Sequence, residues 1–87
     1  MLYIITFPNT HMAILAEKSL QQGGFSVGVM PIPSSIKAGC GIALRVTDAQ
    51  SASAHLSENE ILFAEIYQAI TTEKGTTYQI TANEGIK

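Results

Sequence analysis

Leu2 to Phe7 places apolar side chains on both faces of an extended chain, Leu2 and Ile4 on one and Tyr3, Ile5 and Phe7 on the other. A strand apolar on both faces belongs in the middle of a sheet. Pro8-Asn9-Thr10 breaks it, and Asn9 or Thr10 is placed to cap a helix. Met12, Leu15, Ala16, Ser19 and Leu20 then recur at helical spacing, with Glu17, Lys18, Gln21 and Gln22 on the wet side and Gly23-Gly24 as the stop. Phe25, Val27 and Val29 alternate with Ser26, Gly28 and Met30, which predicts a second strand. Pro31 and Pro33 cannot donate to a sheet and end it. Ser34 to Ala38 reads as a helical turn. Ile42, Leu44 and Val46 alternate with Ala43 and Arg45 in a third strand.

Thr47-Asp48-Ala49-Gln50 fits a capping box, and Ala49, Ala52, Ser53 and Leu56 form the inward stripe of a second helix ending near Glu58. The run Ile61 to Ile70 fits helix or strand by periodicity. The polar stretch Thr71 to Thr77 resembles a hairpin turn between β-prone segments, so strands are predicted over about 63–72 and 76–81.

The predicted order is β-α-β-β-α-β plus a short C-terminal strand, an α+β ferredoxin-like split βαβ arrangement with two helices on one face of an antiparallel sheet. Residues 1–82 form one domain, and 83–87 a frayed tail. The helix-free face is expected to bear Tyr3, Ile5, Phe7, Ala43 and Tyr67, an apolar face suited to a homodimer. In such a topology the first turn, Pro8 to His11, and the connection after the second strand lie at one end of the sheet, as does the loop at Asn59 and Glu60.

Composition narrows the function classes. The chain has 87 residues, 46% hydrophobic and 14% charged, with net charge −2. It has enough apolar material for one core and less charge than the usual quarter, so a partner is expected to cover some surface. No basic run interleaves with aromatics, which argues against nucleic acid. No apolar run approaches the ~20 residues that span a bilayer, and the N-terminus lacks a signal-peptide pattern, so a cytoplasmic protein is expected. One cysteine and two separated histidines give no metal-ligand spacing, and no cofactor motif is present.

The candidate chemistry lies in Ser34-Ser35-Ile36-Lys37-Ala38-Gly39-Cys40-Gly41. Cys40 is the single cysteine of the chain, and Gly39 and Gly41 leave its sulfur unshielded. The predicted topology sets it beside the N-terminus of the first helix. The partial positive charge there, with Lys37, favours the thiolate, which is the reactive form. His11 is a candidate proton relay. Asn9, Thr10, Ser34 and Ser35 are candidates to hydrogen-bond a terminal sulfur or selenium anion. Arg45, beside Ala43 in period, is expected on the helix-free face, and His55 at the surface of the second helix.

Pro8-Asn9-Thr10-His11, the helix Ala13 to Gln22, Val29-Met30-Pro31-Ile32-Pro33 and Cys40-Gly41-Ile42-Ala43-Leu44-Arg45 together resemble a small bacterial family described as putative selenium/sulfur carrier protein-like. Its pattern is a strand, a Thr-His helix start, a Pro-x-Pro stretch, a Ser-Ser-Cys-Gly loop and a Leu-Arg strand. The resemblance covers about residues 2–47 well. Lys37-Ala38-Gly39 stands where the family pattern has serines. The resemblance implies that Cys40 holds a persulfide or selenosulfide, taken from a cysteine desulfurase or other chalcogen donor and passed to an acceptor enzyme. Such a protein is a covalent carrier and not a turnover catalyst. The alternative is a dimeric ferredoxin-like binding or assembly module with Cys40 incidental. A thiol redox sensor is a third reading, weakened by the lack of a second cysteine in the chain.

Overall fold

A computed structural model describes residues 2–36 and 41–83. The chain forms β1 (Leu2–Thr6), α1 (Thr10–Gln22), β2 (Val27–Pro31), β3 (Ile42–Val46), α2 (Ala49–Glu58), β4 (Glu65–Thr72) and β5 (Gly75–Asn83). The five strands make one antiparallel sheet in the order β2-β3-β1-β4-β5. The fold is therefore α+β, with two helices and a five-stranded antiparallel sheet.

β1 lies at the centre, as its two apolar faces require. Its register sets Ile5 opposite Leu44 on one side and Ile66 on the other, and Ile4 opposite Arg45 and Tyr67. Side chains alternate along a strand, so these registers sort the sheet into two faces. Ile5, Phe7, Leu44, Val46 and Ile66 pack with Ala13, Ala16 and Leu20 of α1 and Ala52 and Leu56 of α2, all buried. Ile4 and Ala43 point the other way and form a second cluster with Ile36, flanked by Met30, Ile32, Tyr67 and Tyr78.

This corrects the expected helix-free face. Tyr3, Ile5 and Phe7 lie on the helix side, and Ile4 takes their place beside Ala43 and Tyr67. A strand apolar on both faces fixes no orientation by itself, because moving it by one residue exchanges its faces.

Both helices start on side-chain caps. Asn9 Oδ1 accepts the Met12 N–H at 2.9 Å, and Asp48 Oδ1 accepts the Ser51 N–H at 3.0 Å. The second cap is Asp48, one residue later than a box beginning at Thr47 requires. That bond to the Ser51 amide is also the leading cause that holds the Asp48 carboxyl below its usual range. The buried stripe of α1 is Ala13, Ala16 and Leu20, with Ile14 and Leu15 exposed. The small alanines let the helix lie close on the sheet.

The C-terminal half is a hairpin. β4 begins at Glu65, two residues later than expected, although the Ala64 N–H already bonds the Thr6 carbonyl of β1 just ahead of it. Glu73-Lys74 turns the chain, and Gly75 follows at φ +120°, a conformation that side chains disfavour. β5 is not short. It has nine residues and pairs along the whole of β4, with a bulge opposite the Ile66/Tyr67 step. It reaches through Ala82 and Asn83, so its backbone continues into the stretch expected to open the tail.

His55 is the other departure. It is half-buried, with Nε2 3.0 Å from both the hydroxyl and the carbonyl oxygen of Ser19. Its ring lies 5.3 Å from that of Phe25 and sits over Gly23, where an added Cβ would come within 2.7 Å of Cε1. The histidine wedges α2 against the end of α1, a tertiary contact across 36 positions that local periodicity does not carry.

Candidate functional site

The connection from β2 to β3 holds most of the expected site residues, and its two described ends are fixed by the sheet. Pro31 is opposite Ile42 in the ladder. The Ile32 N–H then bonds the Gly41 carbonyl at 3.1 Å and closes the neck of the connection. Beyond the neck, Pro33 to Ile36 forms a tight turn, with the Ile36 N–H on the Pro33 carbonyl at 3.0 Å. Ile36 is 6% exposed and packs with Ile4 and Ala43. The first half of the connection is therefore pinned onto the helix-free face. Ser34 and Ser35, at the turn's crest, are exposed, as is Gly41, around which an added Cβ would meet nothing within 4 Å.

Ile36→Ala is expected to cost about 2–4 kcal/mol of unfolding free energy, since it empties a buried site in a small cluster. Chemical denaturation with an unchanged denaturant slope checks this. A cost under about 0.5 kcal/mol would mean that Ile36 does not anchor the segment.

Asn9, Thr10 and His11 open α1. The antiparallel registers bring the C-terminal ends of β1 and β2 and the N-terminal ends of β3 and β4 to one end of the sheet. The turn after β1 and the connection after β2 thus share that end. They occupy different layers there, since α1 lies on the helix side and Ile36 on the opposite face. Asn9 is exposed and its Oδ1 is used by the cap, so its contribution to an anion would come from the NH2 end. His11 is exposed at the second helical position. Lys37, Gly39 and Cys40 lie outside the described residues, and so does the expected approach of Cys40 to Asn9, Thr10 and His11. Asn59 and Glu60 border a groove along α1 with Met12, Leu15 and Gln22.

Arg45 is exposed on the helix-free face, as its period predicts. Its guanidinium crosses Gly28 of β2, where a Cβ would lie 2.5 Å from Nη2, so the glycine gives that side chain its path. On the same face the Tyr67 hydroxyl donates to Glu65 Oε1 at 2.5 Å. This bond, reinforced by burial and the carboxylate's charge, pushes the Tyr67 phenol up to about 12. The raised value favours the protonated form in the folded chain. Its contribution to stability is full below the ordinary tyrosine value near 10 and is lost as pH rises through about 12. Ultraviolet titration is expected to show one of the three tyrosines ionising late, and Glu65→Ala is expected to return it toward 10. Three coincident titrations in the parent protein would refute the pairing. Sequence period placed Tyr67 in the sheet, but its partner two residues away on the same strand was missed.

A concavity of about 550 Å³ lies between the start of α2 and the sheet, bordered by Tyr3, Asp48, Gln50, Ile66 and Thr81. None of the expected site residues lines it. Among the described residues no group of three or more His, Cys, Asp or Glu is placed to hold a metal ion. No described helix is long and apolar enough to cross a membrane.

An antiparallel α+β sheet with helices on one side, and a β2–β3 connection anchored on the other, is the class that the fold and site define. A family model described as "Putative Se/S carrier protein-like" matches residues 2–68. The chain belongs to that family. The match runs from β1 into β4 and spans Cys40. No curated protein and no solved structure matches the chain.

Proposed function

We propose that this protein is a sulfur or selenium carrier in which Cys40 transiently holds the chalcogen. Membership of the family, through a match that includes Cys40, is the observation that carries the reading. The step is an exchange. The Cys40 thiolate attacks the terminal sulfur of a donor's persulfide, the donor's S–S bond breaks, and a new S–S bond forms at Cys40. The donor leaves as a thiolate, so no net oxidant is consumed. Selenium follows the same balance with an S–Se bond. A cysteine desulfurase is the donor of matching chemistry, and an acceptor enzyme takes the atom by a second exchange. The protein acts stoichiometrically in the cytoplasm and not as a turnover catalyst.

The fold suits this role as a ferredoxin-like split βαβ unit with β5 added. In the order β2-β3-β1-β4, the crossover through α1 brackets β3 and the crossover through α2 brackets β1. That arrangement sends the turn at Asn9 to His11 and the neck at Ile32 and Gly41 to one sheet end. Lys37 and the helix N-terminus would favour the thiolate, His11 would relay its proton, and Asn9, Thr10, Ser34 and Ser35, with the backbone at Gly39 and Gly41, would bind the terminal anion.

The test is loading of the native protein. Incubation with a cysteine desulfurase and cysteine, or selenocysteine, is expected to raise the intact mass by one sulfur or one selenium atom, and a reductant such as dithiothreitol is expected to remove it. A folded protein whose thiol resists both loading and an alkylating agent would overturn the carrier reading. The face built on Ile4, Ala43 and Ile36 would then favour a binding module.

A further inference from the structure

The two edges of the sheet are built differently. β2 is short, five residues, and it ends in Pro31 with Pro33 just beyond. Proline and shortness are the usual means of stopping an edge strand from pairing with another chain. β5 has nine residues, with no proline and no charged residue between Gly75 and Asn83. Its outer side has no neighbouring strand among the described residues. Thr76, Thr77, Gln79 and Ile80 are all exposed.

The hairpin fixes which backbone groups face outward. The Glu73-Lys74 turn is closed by the Thr72–Gly75 pair, and the register continues as Ile70–Thr77 and Gln68–Gln79. In an antiparallel ladder with a two-residue turn, the closing pair and every second pair beyond it are hydrogen-bonded. Gly75, Thr77 and Gln79 therefore turn their N–H and C=O groups to β4. Thr76, Tyr78 and Ile80 turn theirs to the open edge. The regular ladder runs to Ile80, and the bulge follows.

We propose that two copies of this chain pair through β5, antiparallel, about a two-fold axis at Tyr78. This register sets Tyr78 opposite itself and Thr76 opposite Ile80, so all three outward-facing residues find partners among themselves. It forms about six backbone hydrogen bonds, two for each hydrogen-bonded pair. Shifting it by two residues in either direction leaves one of the three outside the regular segment. No like charges meet. Thr76, Tyr78 and Ile80 share the helix-free face, where an aromatic pair is flanked by threonine against isoleucine, a favourable cross-strand set. The axis is normal to the sheet, so the result is one ten-stranded sheet with all four helices on one side. Neither copy's β2–β3 neck is in the contact, and the proposal stands independently of the carrier reading.

Sedimentation over a concentration series tests it, with amide exchange as the register-specific readout. The parent protein is expected to form a dimer reversibly. The Thr76, Tyr78 and Ile80 amides are expected to slow as concentration rises, while the exposed amides of Ser34 and Ser35 do not. Thr76→Pro removes an outward N–H without touching the β4 ladder, and Ile80→Lys charges the edge. Each is expected to weaken the dimer by about tenfold or more with far-ultraviolet circular dichroism unchanged. If the proline variant fails to fold, Ile80→Lys decides alone. A parent protein that stays monomeric across the series overturns the proposal. So does a dimer insensitive to Ile80→Lys, or one that Met30→Lys dissolves instead, since that would place the contact on the sheet's face.

Discussion

Cys40→Ser is expected to abolish chalcogen loading outright, with no added mass after incubation with a desulfurase and its substrate. Serine is close to cysteine in size, so the change removes the nucleophile and little else. A hydroxyl at neutral pH does not ionise as a thiol does, and it cannot displace a thiolate from a persulfide. The neck bond between Ile32 and Gly41 uses backbone groups, and Ile36 supplies the anchor, so neither depends on the sulfur. Stability measured by denaturation is therefore expected to change by less than about 1 kcal/mol. The two readouts together decide the matter. Loading that persists in a folded Cys40→Ser protein would rule Cys40 out as the carrying atom.

The largest stability effect is expected at Phe7. Its side chain is fully buried, and it packs where β1 leaves the sheet and the chain turns into α1. Phe7→Ala removes a ring's worth of buried apolar area and leaves a cavity that the neighbouring sheet cannot close. Such changes cost about 3–5 kcal/mol. Single domains of this kind are stable by only roughly 5–15 kcal/mol in total, so the variant should melt well below the parent. Phe7→Leu, which keeps most of the volume, is expected to recover over half of the loss. Thermal and denaturant unfolding measure both, and a Phe7→Ala variant within about 1 kcal/mol of the parent would refute the packing described.

Element type was legible wherever chemistry is local. Gly23-Gly24, the cap at Asn9, the prolines after Met30 and the turn at Glu73-Lys74 each punctuate the chain by their own backbone preferences, and the elements end where those residues lie. Orientation was less legible. Leu2 to Phe7 is apolar on both sides, and its facing follows from Ala13, Ala16 and Leu20 meeting Ile5 and Leu44 across the core. His55 reads as a surface residue on its own helix, and its place against Ser19, Gly23 and Phe25 arises only once α1 and α2 pack. At the candidate site, the sheet end shared by Asn9, His11, Ser34 and Ser35 followed from the order of the elements. Ile36 passed as part of a helical turn, since nothing in the local pattern says that a residue in a connection will be buried. Its partners, Ile4 and Ala43, are distant in sequence.

The position of β1 also sets an order of events during synthesis. Of the five strands it is made first, yet it sits at the centre of the sheet and pairs with β3 and β4. Tyr3 meets Val46, and Ile4 meets Tyr67. At roughly 5–20 residues per second, the stretch from Tyr3 to Val46 takes about 2–9 s to make. Closing a hairpin takes microseconds. β4 and β5 can thus pair as soon as they emerge, while the apolar strand Leu2–Thr6 waits for both its neighbours. Of the five strands described, β1 is made longest before its partners, and it is the segment for which a chaperone would compete.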